Sequence, residues 1–166
     1  KKNKMDCHIF QWAMGWKSKE LVEFKELSNL YLDLSEEILK DINFDSSLKD
    51  NHRQLLFISC IENSLDCEAN NIYEIYKNDL EPIEEFNFES KWKKLMEIST
   101  IKNIVNSEFD PDGLLSILHD SKERAISVPD TNIISTNKLN DLKKFSLILN
   151  KYKSFKELLR KLLDEC

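Results

Sequence analysis

Apolar and polar positions recur at steps of three and four residues along most of the chain, the spacing of amphipathic helices. The clearest case is residues 50–77, where apolar side chains fill one arc about a third of the way round a helix. They are Leu55, Ile58, Ile61, Leu65, Ala69, Ile72, Tyr73 and Tyr76. Leu56, Cys60 and Cys67 form a second, narrower stripe. Because a surface helix needs only one apolar face, two stripes predict a central helix that neighbours cover on two sides.

The helix before this central one is predicted over residues 19–42, with Ser18 as its N-cap and a stripe of apolar residues from Leu21 to Ile42. A short turn should follow, and Asp50 is expected to cap the central helix. Two long helices with a short connection are predicted to be antiparallel neighbours.

Three further helices are predicted in the second half of the chain. Residues 89–106 form the first of them, with fraying expected near residues 99–103 because β-branched residues crowd its end. Asp110-Pro111-Asp112-Gly113 is a helix start signal, and Pro129 ends that helix. The last helix begins at Ser135 or Thr136, with a kink expected at Ser154, where the near-heptad spacing of its apolar residues is interrupted.

Composition supports an all-α fold. The chain has only two glycines and three prolines, and no long segment alternates apolar and polar residues. Its 166 residues, 41% of them hydrophobic, suffice for one hydrophobic core. We therefore predict a single domain over residues 1–166, an antiparallel bundle of about five main helices. Residues 1–16, with four large apolar side chains from Phe10 to Trp16, are predicted to pack on this bundle.

The net charge of −6 is unevenly distributed. Residues 138–163 hold eight Lys or Arg against Asp141 and Glu157, a local +6, which leaves −12 for the remainder. The basic segment could contact the phosphates of RNA, or it could be a solvated helix face beside the acidic body; the second interpretation is preferred. The lysines that would contact phosphate are Lys143, Lys144, Lys151 and Lys153.

The four cysteines show no paired spacing, which predicts free thiols and a reducing, cytoplasmic compartment. No apolar run approaches twenty residues, so no membrane span is expected. Cys7 and His8 are adjacent and would point about 100° apart on a helix, so no metal site is expected. The phosphate-binding and hydrolase motifs GxxxxGK[ST], GxGxxG, HExxH and GxSxG are absent, and no cofactor is predicted.

Three segments together carry a family resemblance. They are RQLLFISCIENSLDCEANNIYEIY, ESKWKKLMEI and FDPDGLLSILHDSKERAISVPD. Their layout resembles that of HEPN-type helical bundles of prokaryotic defence and toxin–antitoxin systems, over roughly residues 20–163. Such bundles have a long helix with an acidic residue in its apolar face and a later helix that opens with R-N-x-x-x-H. The resemblance implies a HEPN-like bundle around the central helix.

The chain departs from the family at that last motif. Lys122, Glu123 and Ser127 stand where the resemblance places Arg, Asn and His. The chemistry needs histidine to move a proton at the RNA 2′-hydroxyl and arginine to steady the phosphate, and serine cannot do the first near neutral pH. The resemblance therefore implies a degenerate, non-catalytic member that keeps the bundle for dimerisation or for a protein partner.

Glu62 is the one carboxylate inside the main apolar arc of the central helix. It either reaches toward residues 122–127 and organises a polar pocket, or lies at the edge of the arc, paired with a lysine or turned to water. The first hypothesis for function is a non-catalytic, self-associating interaction module. The second is an RNA-cleaving nuclease with a displaced set of Glu62, His119 and Arg124. An unrelated helical scaffold or effector fragment is the third.

Overall fold

The computed structural model describes six α-helices. The backbone is described for residues 6–45, 47–82, 87–126 and 138–164, and side chains from residue 23 onward within these ranges, except residues 138–140 and 164. The helices are α1 Asp6–Asp41, α2 Leu48–Tyr76, α3 Phe88–Leu95, α4 Ser99–Ser107, α5 Leu114–Ile126 and α6 Lys138–Asp164. The described residues contain no β-strand, which confirms the all-α prediction.

The predicted central helix is α2, which packs against α1, α3 and α5 and hydrogen-bonds to α6. Five members of its predicted main arc are completely or almost completely buried: Ile58, Ile61, Leu65, Ala69 and Ile72. The predicted second stripe was wrong at Leu56, which is 53% exposed, whereas Cys60 is buried and Cys67 is half-buried. The second buried face contains Cys60 together with Phe57, Ser64 and Glu68. Because Ser64 and Glu68 are polar, the spacing of apolar residues does not predict that this face is buried.

The turn between α1 and α2 differs from the prediction at the cap. Ser47 is the N-cap of α2, and its side chain accepts a hydrogen bond from the Asp50 backbone N–H. Asp50 lies inside the first turn, buried, where its carboxylate accepts from the Asn43 backbone N–H at 2.6 Å and from Gln54. The prediction that Asp50 caps the helix was therefore wrong, since this carboxylate closes the preceding turn instead.

α1 is one uninterrupted helix of 36 residues. The prediction that a separate helix begins after Ser18 was wrong. A helix interior tolerates Ser well and Gly at a cost of about 1 kcal/mol, and this segment contains no proline. The predicted packing of the residue 1–16 side chains lies outside the described residues.

The predicted helix over residues 89–106 is broken in two. A tight turn at residues 96–98 separates α3 from α4, and the Ile98 backbone N–H bonds to the Leu95 carbonyl. Residues 99–103, where fraying was predicted, are helical, so that prediction was wrong. The break turns Trp92, Leu95, Ile98 and Ile101 into the core together, which a straight helix would not allow.

α5 begins three residues later than the Asp110-Pro111 signal suggests. Residues 110–113 form a turn, and the Glu108 carboxylate accepts from the Leu114 backbone N–H at 2.8 Å, the role expected of Asp110. A Cβ at Gly113 would lie 2.4 Å from the Glu108 carbonyl oxygen, so only glycine fits here. The described part of α5 ends at Ile126, before Pro129.

α6 closes the core with a face of large side chains: Phe145, Ile148, Leu149, Tyr152, Phe155 and Leu159. Phe155 packs on Trp92 of α3. Phe145 packs on Phe57 of α2 and on Phe44, which lies in the connection between α1 and α2. The helix runs through Ser154 without interruption, so the expected kink does not break it. Its predicted start at Ser135 or Thr136 lies outside the described residues.

Candidate functional site

Glu62 of α2 forms an ion pair with Lys122 of α5. The Lys122 ammonium lies 2.8 Å from both carboxylate oxygens. The Glu62 side chain is 16% exposed and that of Lys122 is 42% exposed, so the pair lies at the edge of the core. The carboxylate therefore reaches the segment 122–127, one of the two placements expected from the sequence, and it is also paired with a lysine, as the other expected.

His119 lies on an open cleft of about 190 Å³ between α3 and α5. The cleft is lined by Glu89, Phe109, Leu115, Ser116, His119 and Asp120. The imidazole Nδ1 lies 3.4 Å from Glu89 and Nε2 lies 3.5 Å from Glu123. Both distances exceed that of a good hydrogen bond, so these carboxylates orient the ring only weakly.

The three residues of the displaced catalytic set have different neighbours. Glu62 contacts Lys122, and His119 lies beside Glu89 and Glu123. Arg124 is exposed near the end of α5, and its charge acts on Lys144 of α6. Ser127 lies outside the described residues.

A cluster of buried polar side chains that the sequence analysis missed joins α1, α2 and α6. It consists of Ser28, Ser64, Glu68, Tyr152 and Lys156. The first four are at most 6% exposed, and the Lys156 side chain is 16% exposed. We call this set the polar cluster. It places two hydroxyls, a phenol, a carboxylate and an ammonium inside the bundle.

The hydrogen bonds of the polar cluster cross between the helices. Lys156 Nζ donates to Ser28 Oγ at 2.7 Å and lies 3.5 Å from Glu68 Oε2, while Ser28 Oγ can donate to the same carboxylate oxygen at 3.1 Å. Ser64 Oγ donates to the Ser28 carbonyl at 2.5 Å and lies 2.7 Å from the Tyr152 hydroxyl. Each buried polar side chain in the cluster therefore has at least one partner, as buried polar groups require.

Burial dominates the electrostatics of the polar cluster. It lowers the pKa of the Lys156 ammonium, while the charge of Glu68 acts in the opposite direction. Burial also raises the pKa of Tyr152, against the effect of its hydrogen bonds to Ser28 and Ser64. The Ser28 side chain is fully buried and has no route to a substrate. The cluster contains the kinds of group that nucleophilic catalysis uses. Because these groups are buried, we interpret the cluster as structural.

Small side chains explain how α1 approaches α2. Between residues 23 and 41, the fully buried residues of α1 are Ser28 and Ser35, seven positions apart. A serine at a helix contact lets the two backbones come close, and the Ser28 hydroxyl also lies 3.1 Å from the Ser64 carbonyl.

The sequence does carry a signal for the polar cluster. The i, i+4 pairs Ser64–Glu68 and Tyr152–Lys156 each place two polar side chains on one face of a helix.

The lysines predicted to contact phosphate divide into two groups. Lys153 forms an ion pair with Glu36 of α1 at 2.6 Å, as expected of a basic helix beside an acidic body. Lys143, Lys144 and Lys151 have no ion pair with a described carboxylate. Burial, together with the charge of Arg124, lowers the pKa of Lys144.

Within the described ranges, no three His, Cys, Asp or Glu side chains are grouped so that they could hold a metal ion. Nor does any of the described helices combine the length and apolar character that crossing a membrane requires. Comparison with known proteins gives no match to a family model, a curated protein or a solved structure.

Proposed function

We propose that the chain is a non-catalytic helical interaction module that self-associates, with a HEPN-like arrangement of five main helices, in a bacterial defence or toxin–antitoxin context. The ion pair between Glu62 and Lys122 is the observation that carries this proposal. The resemblance assigns the place of Lys122 to a cation that steadies phosphate. Here that cation is neutralised by a carboxylate of the same molecule, which disfavours contact with a second anion.

The remaining polar chemistry also supports a structural role. The polar cluster is enclosed by three helices, and its serines have no access to a ligand. By contrast, large apolar side chains are exposed on the outer faces of α1 and α6, among them Leu30, Leu34, Leu147 and Leu158. Leu30 and Leu34 lie on neighbouring turns of α1, and adjacent exposed apolar side chains rimmed by polar residues are typical of protein interaction sites.

The alternative is an RNA-cleaving nuclease with the displaced set of Glu62, His119 and Arg124. The cleft beside His119 favours this alternative, because the exposed imidazole lines it together with Glu89, whose carboxylate lies 3.4 Å from Nδ1. A general base needs such an orienting partner.

One assay separates the two functions. The purified protein is incubated with labelled single-stranded RNA, beside His119→Ala, Arg124→Ala and, as a matched surface control, Lys102→Ala. The module proposal expects no cleavage by any of the four proteins. Cleavage that is lost in the first two variants and kept in the control would overturn it in favour of the nuclease.

Light scattering tests the self-association. We expect a mass above that of the monomer, rising with protein concentration, and a strictly monomeric protein would refute this part of the proposal. For the biological context, we expect a co-transcribed nucleotidyltransferase or nuclease gene beside the gene for this chain.

A further inference from the structure

The outer face of α1 carries exposed leucines surrounded by carboxylates. Leu30 and Leu34 are 52% and 38% exposed. At 100° per residue, four exposed acidic residues fall with them in an arc of about 80°, and Lys25 and Lys40 fall outside it. We call this surface the acidic stripe: Glu23, Glu26, Leu30, Leu34, Glu37 and Asp41. None of its carboxylates forms an ion pair with a described residue.

The outer face of α6 carries the opposite charge. Leu147 and Leu158, 44% and 46% exposed, lie in an arc of about 100° with three lysines. We call this surface the basic stripe: Lys143, Lys144, Leu147, Lys151 and Leu158. Residues 142–156 include no Asp or Glu. The charges of Asp120 and Asp141 act on Lys144, but neither carboxylate forms an ion pair with it. The two stripes also match in length, at about 27 Å and 22 Å.

The stripes cannot neutralise each other within one molecule. From residue 23 onward, the α1 side chains that bond to lysines of α6 are Ser28, Asn29 and Glu36, which lie outside the arc of the acidic stripe. Lys153 and Lys156, which meet them, likewise lie off the basic stripe. The pair between Lys153 and Glu36 shows that lysines of α6 and carboxylates of α1 do pair when they meet.

We propose that a second copy of this chain covers the stripes, with the acidic stripe of one copy on the basic stripe of the other. This inference rests on the self-association proposed above and assigns the surfaces that make it. The leucines supply apolar contact, and the surrounding charges set orientation and exclude like-charged pairing. In a symmetric pair the contact occurs twice, since each copy offers both stripes.

Two charge-reversed variants provide the test. One carries Lys143→Glu and Lys151→Glu, and the other carries Glu26→Lys and Glu37→Lys. Each variant alone should dissociate at least about tenfold more readily than the wild type in sedimentation equilibrium. A mixture of the two should recover association, because each reversed stripe then meets its complement. High salt should weaken the wild-type complex.

The controls make each outcome decisive. A variant with Lys49→Glu and Lys102→Glu reverses two exposed lysines outside the stripes and should associate like the wild type. Circular dichroism and urea unfolding of all variants check that the fold is kept. A wild-type protein that stays monomeric refutes self-association itself. A wild type that associates, with both variants unchanged, refutes only the assigned surfaces.

Loss of binding to a labelled RNA probe in the Lys143→Glu, Lys151→Glu variant, with association unchanged, would assign the basic stripe to phosphate and overturn this proposal.

Discussion

A double-mutant cycle tests the ion pair between Glu68 and Lys156. The intact pair should contribute little net stability, whereas removing one member alone should destabilise the protein strongly. The perturbations are Lys156→Met, Glu68→Met and the double variant, each of which keeps an unbranched side chain of similar length. The measurement is the free energy of unfolding from urea titration.

The magnitude follows from the geometry. At the observed 3.5 Å between Lys156 Nζ and Glu68 Oε2, an effective dielectric constant near 20 gives an attraction of about 5 kcal/mol. Removing both charges from water costs a similar amount, so the intact pair contributes close to zero net stability. One member alone retains its burial cost without compensation. Each single variant should therefore lose about 3 kcal/mol, the lower end of the usual range because Lys156 is partly exposed.

The double variant should lose less than about 2 kcal/mol in total, since two apolar side chains replace two charges. The coupling energy is then at least about 4 kcal/mol. The matched control is the surface pair of Lys94, in the last turn of α3, and Glu97, in the turn that follows, and its cycle should show no coupling outside experimental error. Additive losses at Glu68 and Lys156 would refute the reasoning, because they would show that the two charges do not compensate each other.

Four further predictions follow from burial and hydrogen bonding. Glu62→Gln should lose about 1 kcal/mol in urea unfolding, since its ion pair lies at the edge of the core; a loss above about 3 kcal/mol would contradict this placement. Phe57→Ala should lose about 3–5 kcal/mol and its neighbour Leu56→Ala less than about 0.5 kcal/mol; equal losses would restore the predicted second stripe. Gly113→Ala should lose about 1–3 kcal/mol in the same assay, because its Cβ would meet backbone atoms. Burial raises the pKa of Tyr152, so above pH 10 the native phenol keeps a proton that the unfolded one has lost, and stability falls as pH rises. Tyr152→Phe should make that alkaline decline in unfolding free energy shallower by up to about 1.4 kcal/mol per pH unit, and an unchanged slope would contradict the burial argument.

The apolar arc of α2 could be predicted from sequence because Ile58, Leu65 and Ile72 differ sharply from their neighbours in hydrophobicity. The other buried face of α2 could not, because Ser64 and Glu68 are residues that usually face water. They are buried here only because side chains of α1 and α6, distant in sequence, are their partners. A pattern along one helix contains no information about such partners.

The same limit applies to helix ends and to the candidate site. The break at residues 96–98 is favoured by the burial of Trp92 and Ile98 together, a tertiary effect that local propensity does not record. For the site, sequence marked Glu62 as unusual, and the structure supplied its partner, Lys122. The proposed self-association depends on surfaces of α1 and α6 that become visible only when exposure is known.

The polar cluster and the acidic stripe are two consequences of how α1 is oriented. A helix that buried Leu30 and Leu34 would need to rotate about its axis, because Ser28 lies roughly 120° or more away from both. That rotation would withdraw Ser28 from Ser64 and Lys156 and leave Glu68 without one of its hydrogen bonds. The cost of unpaired buried polar groups therefore holds the serines inward. With the serines inward, the leucines and carboxylates of the acidic stripe face solvent, where a second copy can meet them.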